Sequence, residues 1–165
     1  MKIGRLIIFS GLPGCGKTTL ASMLAIKLQA TYLRIDTVEQ GLREVCGIQE
    51  VEGMGYRLSY RLASENLLMG NTVIADSVNP WKLTRDEWND VAKKIGASFT
   101  NIEIICSDNS IHRQRLESRD TSVTWEEVQA RDYHSWESDR IQIDTAHSNI
   151  EESFQELVKK LTYIC

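Results

Sequence analysis

The residues best suited to do chemistry stand close together at positions 11–18. They read Gly-Leu-Pro-Gly-Cys-Gly-Lys-Thr and match the pattern G-x-x-x-x-G-K-[ST] at every fixed position. In this pattern the glycines let backbone N–H groups approach phosphate oxygens, the lysine reaches the β- and γ-phosphates, and the threonine hydroxyl ligates Mg²⁺. The segment therefore predicts binding of a nucleoside triphosphate, with ATP and Mg²⁺ as the expected cofactors.

The positions of this loop have separate expected roles. Lys17 is the expected catalytic cation, Thr18 the metal ligand and Thr19 a contact to the α-phosphate. Cys15 lies near a helix N-terminus, which lowers the pKa of a thiol and would suit redox chemistry. We instead expect Cys15 to fill a variable position of the loop. The predicted nucleotide-binding residues of the segment are Gly11, Pro13, Gly14, Cys15, Gly16, Lys17, Thr18 and Thr19.

Two aspartates, Asp36 and Asp76, come at the ends of the second and third predicted strands. Because the carboxyl ends of parallel strands meet at one edge of a sheet, both carboxylates should converge near the γ-phosphate and its metal. Phosphoryl transfer needs one group to hold Mg²⁺ or its waters and another to orient or deprotonate the attacking hydroxyl. Either aspartate could instead cap a helix or a turn. The pair is more informative than either member and favours the chemical interpretation.

Several arginines follow the fourth predicted strand. A triphosphate undergoing transfer needs positive charge on its equatorial oxygens, and an arginine on a closing lid can supply it. Arg119, at the expected end of a helix and beside Asp120, suits this role best. Arg113 and Arg115 are expected on a solvated face, and Arg131 could also point inward. The three histidines share no ligand spacing and are expected to be structural or at the surface: His112, His134 and His147.

The elements that must hold these residues alternate between strands and helices, which predicts a parallel sheet covered on both faces. Segments 37–51 and 119–124 are polar or contain glycine and could be mobile, although a helix is expected soon after Asp36. The predicted strands are 6–9, 32–35, 72–75, 99–106 and 141–143. The predicted helices are 17–29, 52–69, 79–95, 109–118, 125–136 and 150–161. Thr124 is the expected N-cap of the helix that begins at residue 125.

Composition predicts the number of domains, the kinds of partner and the location of the protein. The chain has 165 residues, a formal net charge of −4, 42% hydrophobic and 25% charged residues. These values predict one soluble domain, and the acidic balance argues against nucleic acid as a partner. The four cysteines, Cys15, Cys46, Cys106 and Cys165, contain no C-x-x-C pair and suggest neither disulfides nor zinc. No apolar run approaches the ~20 residues that cross a bilayer. We expect a cytoplasmic monomer or homodimer without a membrane partner.

The sequence resembles the small P-loop kinases of the adenylate, shikimate and gluconate kinase type. It is most similar to the AAA-domain kinase-like ATPases that include chloramphenicol phosphotransferase and polynucleotide 5′-kinase domains. The resemblance covers nearly the whole chain and rests on GLPGCGKTT at 11–19, LRID at 33–36, VIADSVNP at 73–80 and the arginine-containing segment 113–119. It implies an α/β P-loop NTPase fold, with a five-stranded parallel sheet in the order 2-3-1-4-5 between helices and a small helical lid at about 109–124.

The resemblance also implies roles for individual residues. Asp36 would activate the acceptor hydroxyl, Asp76 would lie near the metal and the acceptor, Arg119 would act from the lid, and Arg140 would cover the adenine. A second carboxylate two residues from Asp36 is absent, and so are the acceptor-recognition residues of shikimate, gluconate and adenylate kinases. The substrates of those kinases therefore do not carry over, and we expect an ATP-dependent kinase that transfers the γ-phosphoryl group to a hydroxyl of a small-molecule acceptor.

The acceptor is expected beneath segment 37–55 and the lid. Two alternative functions remain open. A polynucleotide 5′-hydroxyl kinase would need a basic channel, which the acidic balance does not favour. An ATP-binding or ATP-hydrolysing switch protein would have no metabolite acceptor; the Asn-Lys-x-Asp motif with which GTPases read guanine is absent. The predicted substrate-binding residues are Asp36, Arg43, Tyr56, Arg57 and Asp76, with Glu44, Tyr60 and Arg61 as further candidates.

Overall fold

The computed structural model describes residues 3–119 and 121–162, so Asp120 and Cys165 lie outside the described residues. The described chain forms a five-stranded sheet in the order β2-β3-β1-β4-β5 with every pair parallel, which confirms the predicted α/β fold. The strands are β1 (Arg5–Ser10), β2 (Thr31–Arg34), β3 (Val73–Asp76), β4 (Ser98–Ile105) and β5 (Ile141–Asp144). The helices are α1 (Lys17–Leu28), α2 (Ile35–Cys46), α3 (Met54–Leu68), α4 (Lys82–Ile95), α5 (Asn109–Glu117), α6 (Trp125–Ala130) and α7 (Ile150–Thr162).

The central strand β1 divides the core into two layers. Leu6 and Ile8 point to one face, where α3 and α4 pack and Trp88 is fully buried. Ile7 and Phe9 point to the other face, which α1 and α7 cover. A strand covered on both faces needs apolar residues at consecutive positions, and this explains the unbroken apolar run in the sequence. Burial of each such side chain stabilises the fold by about 1.5–3 kcal/mol.

The register of the sheet determines which residues meet at its carboxyl edge. Phe9 of β1 pairs with Asp76 of β3, and Asp76 in turn pairs with Arg34 of β2. The loop after β1, the end of β3 and the start of α2 therefore lie side by side. This edge is where open parallel sheets bind their ligands.

The second strand and the segment after it differ from the sequence prediction. Strand β2 ends at Arg34, and α2 begins at Ile35, so Asp36 lies in the first turn of a helix and not at a strand end. The segment predicted to be mobile is helical as far as Cys46. Ile35 is buried, and the helix ends at Gly47, whose φ of 68° is in the left-handed region that glycine tolerates. Packing of α2 against α3 supplies the stabilisation that its polar composition does not suggest.

Helix α6 begins as predicted but ends early. Thr124 accepts a hydrogen bond from the N–H of Glu127, whose side chain bonds back to the N–H of Thr124, and this confirms the predicted N-cap. The helix was expected to continue to residue 136 but stops at Ala130, because Arg131 is already extended, with ψ at 123°. The residues that follow run to the turn before α4, where the N–H of His134 donates to the carbonyl of Pro80 at 2.8 Å.

Two other helices begin later than predicted. Helix α3 starts at Met54, after Gly53 with a φ of 77°. Helix α4 starts at Lys82 and not at residue 79, because Asn79 has a φ of 47° and cannot be part of a right-handed helix. The Asn79 side chain instead donates to the Phe9 carbonyl at 3.2 Å and to the Ser10 hydroxyl at 3.0 Å. These bonds join the end of β1 to the turn after β3.

In the part of the chain that the structure describes, no helix has both the length and the apolar character needed to cross a membrane. The three cysteines there, Cys15, Cys46 and Cys106, are all free thiols.

Candidate active site

The loop at residues 11–18 joins β1 to α1 and has the backbone of an anion cradle. Gly16 is the N-cap of α1, with a φ of 92°, and no side chain caps this helix end. The first-turn N–H groups of a helix have no intrahelical partners and carry the positive end of its dipole. Gly11 has a φ of 148°, and a Cβ there would lie 2.3 Å from the Ile104 carbonyl oxygen. The loop therefore needs glycine for its path and leaves N–H groups to bind a phosphate.

Neighbouring elements hold the loop by its carbonyl groups. The His112 Nε2 atom lies 2.7 Å from the Pro13 carbonyl oxygen and must donate to it, because a carbonyl oxygen only accepts. The Thr145 hydroxyl donates to the Cys15 carbonyl at 2.8 Å, and the Arg115 guanidinium donates to the Thr145 carbonyl at 2.9 Å. These contacts fix the loop without using N–H groups that a phosphate would need. His112 is structural, as predicted, whereas Arg115 is half-buried here and not on the solvated face that was expected.

The thiol of Cys15 is unsuited to redox chemistry. The side chain is 1% exposed, and burial raises its pKa to about 11, although the nearby Lys17 ammonium opposes this shift. A thiol with so high a pKa stays protonated near neutral pH and is a poor nucleophile. The structure therefore supports the interpretation that Cys15 fills a variable position of the loop.

Lys17 and Asp76 form a buried ion pair at the centre of the site. The second carboxylate oxygen of Asp76 accepts a hydrogen bond from the Tyr32 hydroxyl at 2.6 Å. Burial alone would raise the pKa of Asp76, but the Lys17 ammonium and the hydrogen bonds from Lys17, Tyr32 and Thr18 hold it below its usual range. The Asp76 carboxylate is thus ionised and lies within hydrogen-bonding reach of the predicted metal ligand Thr18. Sequence reasoning did not identify Tyr32.

A large cavity of about 1180 Å³ opens beside the loop. It brings together residues from the loop, α2, α3, the turn after β3 and the segment that follows α5. Of the predicted site residues, its lining includes Pro13, Gly14, Gly16, Lys17, Thr18, Asp36, Arg43, Tyr56, Arg57 and Arg119. The predicted lysine, acidic residue and lid arginine therefore face one space, which we call the larger cavity.

A second cavity of about 620 Å³ lies on another side of the loop and is called the smaller cavity below. Its lining comes from the start of α1, the end of α5 and the start of α7. Gly16 and Arg119 line both cavities, so the two spaces adjoin at the loop and at the predicted lid arginine. The remaining lining residues are Thr19, Leu20, Arg115, Ser118, Thr145, Ser148, Asn149, Ile150, Glu151 and Ser153.

Asp36 has an acidic neighbour that the sequence analysis missed. Asp36 pairs with Arg34 at 3.0 Å, and its side chain is 61% exposed. Glu39 lies one helical turn later, lines the same cavity and pairs with Arg43 at 3.7 Å. Burial raises the pKa of Glu39, Arg43 opposes this, and Asp36 adds to the rise. The absent D-x-D pattern concerns positions two residues apart, whereas a helix brings residues three apart to one face.

The other predicted substrate residues have different surroundings. The Tyr56 hydroxyl accepts a hydrogen bond from the Asn79 N–H at 3.3 Å, and burial raises its pKa to about 12. Tyr56 is thus anchored as well as facing the larger cavity. Arg57 is exposed at the cavity wall. Arg140 lines neither cavity; its Nε atom bonds Glu103 at 2.5 Å, and its guanidinium lies 5.4 Å from the centre of the Trp136 ring.

Arg85 fastens the turn after β3 to the segment after α6, and sequence reasoning missed it. Its guanidinium, with the whole residue 3% exposed, donates to the carbonyl groups of Asn79, Pro80, His134 and Ser135 at 2.8–3.1 Å. The group also lies 4.2 Å from the centre of the Trp136 ring. No local pattern identifies such a residue, because its partners are up to 50 positions away.

A divalent metal beside the loop would need phosphate and water ligands in addition to the protein groups. Among the residues that the structure describes, no group of three or more His, Cys, Asp or Glu side chains could hold a metal ion. Mg²⁺ in nucleotide sites is typically bound by one or two protein groups together with substrate phosphates and water. The Thr18 hydroxyl and the Asp76 carboxylate, which interact with each other, fit that kind of site.

Comparison with known proteins agrees with this geometry. Solved structures with the same fold include a candidate kinase from Chloroflexus aurantiacus, with 20% identity and a TM-score of 0.77 over 99% of this chain and 98% of the other. The APS kinase of Mycobacterium tuberculosis, solved with AMPPNP and APS, has 20% identity and a TM-score of 0.75, covering 98% and 99%. A gluconokinase from Sinorhizobium meliloti has 14% identity and a TM-score of 0.72, covering 99% and 95%. At these identities the likeness shows the fold alone.

The sequence comparisons assign the family. No curated protein matches the sequence. The sequence does match the family described as AAA domain over residues 6–147, a span that contains the phosphate loop, both aspartates and the predicted lid. This match confirms the resemblance to the small P-loop kinases together with the shared fold. The chain therefore belongs to this AAA domain family.

Proposed function

We propose that the protein is an ATP- and Mg²⁺-dependent kinase that transfers the γ-phosphoryl group to a hydroxyl of a small-molecule acceptor. The observation that carries this proposal is the presence of two cavities that adjoin at one phosphate loop and share Gly16 and Arg119. A transfer between two substrates needs both reactants held in line at one point. Catalysis of phosphoryl transfer is mostly positioning and electrostatic stabilisation, which such an arrangement can supply.

The smaller cavity suits the nucleoside end of ATP. It lies beside Thr19, which follows the loop directly. Arg115 and Thr145, which are hydrogen-bonded to each other, form part of its wall. A nucleoside there would direct its phosphates across the loop N–H groups. ATP is favoured over GTP because the sequence lacks the Asn-Lys-x-Asp motif with which GTPases read guanine. Arg140 is bonded to Glu103 and lines neither cavity, so its predicted contact with adenine would require a change in its conformation.

The ion pair of Lys17 and Asp76 suits an exchange of partners when nucleotide binds. In this proposal Lys17 turns to the β- and γ-phosphates, and the Asp76 carboxylate becomes available to the metal or its waters. Mg²⁺ held by Thr18 and Asp76 would supply positive charge against the phosphate oxygens. The Tyr32 hydroxyl would keep the Asp76 carboxylate oriented during the exchange. Each of these residues already lies within hydrogen-bonding reach of Asp76.

The larger cavity suits the acceptor. Asp36 faces it with a largely exposed carboxylate, and we assign Asp36 the role of orienting or deprotonating the acceptor hydroxyl. Glu39 belongs to the same wall and helps to set the local charge. Arg119 stands where both cavities meet, which suits a cation that stabilises the transferring group. Residues 109–124 would act as the lid that carries it.

The experiment that tests the proposal is a turnover screen. ADP release is measured with ATP and Mg²⁺ against hydroxylated metabolites, antibiotics and 5′-hydroxyl oligonucleotides, and each product is checked by mass spectrometry for an added phosphoryl group. We expect a small molecule to stimulate turnover and to become phosphorylated. Phosphorylation of the oligonucleotides alone would support a polynucleotide kinase. Intact ATP binding without any acceptor-stimulated turnover would support a switch protein and contradict the proposal.

A further inference from the structure

The larger cavity contains an arginine that the proposed reaction does not use. Arg34 and Arg43 in its wall are paired with Asp36 and Glu39. Arg131 also lines the cavity and is half-buried, but its guanidinium has no ion pair or hydrogen bond to any of residues 3–119 and 121–162. A partly dehydrated guanidinium that lacks a counter-ion has a free-energy cost, which a bound anion would offset.

The backbone that carries Arg131 is held firmly in place. Arg131 directly follows α6, and three and four residues later the chain is bound by Arg85, which donates to the His134 carbonyl at 2.8 Å and to the Ser135 carbonyl at 3.1 Å. The Arg85 guanidinium also lies 4.2 Å from the centre of the Trp136 ring. A binding group on a fixed segment loses less conformational entropy when a ligand arrives. This arrangement suits a binding residue better than a loosely held surface charge.

The position of Arg131 also separates it from the nucleotide. Arg119 lines both cavities, whereas Arg131 lines only the larger one, to which α2, α3 and the turn after β3 also contribute. A guanidinium presents its donors in a planar fork that matches the paired oxygens of carboxylate, sulfate and phosphate groups. The chemistry of the wall therefore matches an anionic group on the acceptor.

We propose that the phosphoryl acceptor carries an anionic group, a carboxylate, sulfate ester or phosphate ester, and that Arg131 binds it. This inference rests on the proposed kinase function and adds the class of substrate to it. The hydroxyl that receives the phosphoryl group would lie towards Asp36, and the anionic group would lie towards Arg131, across the same cavity.

Matched acceptors test the inference. Glucose, gluconate, glucose 6-sulfate and glucose 6-phosphate form one set, and adenosine and adenosine monophosphate form another; each set keeps hydroxyl groups and changes the charge. Turnover is measured for the native protein, Arg131→Gln and Arg131→Lys. Arg113→Gln is the control, because Arg113 is exposed, pairs with Glu117 and lines neither cavity.

We expect an anionic member to be preferred over its neutral partner. Arg131→Gln should raise the KM for that acceptor about 10- to 100-fold, since a hydrogen bond to a charged group is lost, while leaving the KM for ATP unchanged. Arg131→Lys should restore part of the affinity, and Arg113→Gln should have no effect. Preference for neutral members, an equal loss for neutral and anionic members, or a raised KM for ATP alone would each overturn the inference. Turnover of no member of a wider acceptor panel, with ATP binding intact, would instead overturn the kinase function on which the inference rests.

Discussion

The Lys17 ammonium donates a hydrogen bond to the Asp76 carboxylate, which joins the phosphate loop to the end of β3. Both side chains are buried, and the other oxygen of the carboxylate is bonded to Tyr32. The lysine that should bind phosphate is thus held by the carboxylate that should serve the metal. Nucleotide must compete for Lys17, and the ion pair keeps both charges satisfied until it does.

Replacement of Asp76 by Asn should reduce stability in a way that depends on pH. The pKa of Asp76 in the folded protein is below its usual value, so the unfolded chain binds more protons over the acidic range. The stabilisation is therefore complete above the pKa of the unfolded state, near ~4, and is lost as the pH falls through the folded pKa. We expect Asp76→Asn to lower the free energy of unfolding by about 1–3 kcal/mol at neutral pH.

Urea unfolding of both proteins at neutral pH and at about pH 3 measures this difference. The gap between the native protein and Asp76→Asn should narrow at acidic pH. Asp90→Asn is the control. Asp90 and its partner Lys93, 3.8 Å away, are both exposed, so this substitution should change stability little at either pH. A gap that widens as the pH falls would contradict the ionised, paired state of Asp76.

Two glycine substitutions should have opposite effects on stability. At Gly11 an added Cβ would meet the Ile104 carbonyl oxygen at 2.3 Å, and the φ of 148° disfavours other residues. Gly11→Ala should therefore destabilise the fold by more than ~2 kcal/mol. Gly41 lies in α2, with no atom within 4 Å of the added Cβ, and Gly41→Ala should stabilise by about 0.5–1 kcal/mol. Chemical denaturation compares the two; a neutral effect at Gly11 would refute the described path of the loop.

Substitution of two arginines that are close in sequence distinguishes a role in the active site from ordinary surface charge. Arg119 lines both cavities, whereas Arg113 is exposed and paired with Glu117 at 2.6 Å. If Arg119 stabilises the transferring group, Arg119→Gln should lower kcat by about 100-fold or more. Arg113→Gln should leave kcat unchanged. Steady-state kinetics with saturating ATP distinguishes them, and equal values for the two variants would remove Arg119 from the proposed mechanism.

The sequence alone allowed the loop and the sheet to be predicted because their signals are local. Residues 11–18 follow a fixed pattern between an unbroken apolar strand and a helix, and the structure has this context. The ends of helices were predicted less accurately where contacts with distant residues determine them. The end of α6 depends on Arg85, a residue in another helix, and no periodicity near residue 131 indicates it.

The residues around the phosphate loop were also hard to predict, because their partners are distant in sequence. His112, Arg115 and Thr145 hold the loop from far along the chain, and nothing in their own surroundings in the sequence marks them as partners of Pro13 or Cys15. Glu39 was within reach of sequence reasoning. A helix was expected soon after Asp36, but its start at Ile35, which brings Asp36 and Glu39 to one face, was not predicted.

The account depends most on Asp36, the residue assigned to the acceptor hydroxyl. The direct measurement is the kcat of acceptor phosphorylation by Asp36→Asn, alongside the affinity for ATP, with Asp90→Asn as the matched surface control. We predict that kcat falls by about 10²- to 10⁴-fold while ATP binding is retained. Full kcat in Asp36→Asn, with a change only in nucleotide affinity, would contradict the account.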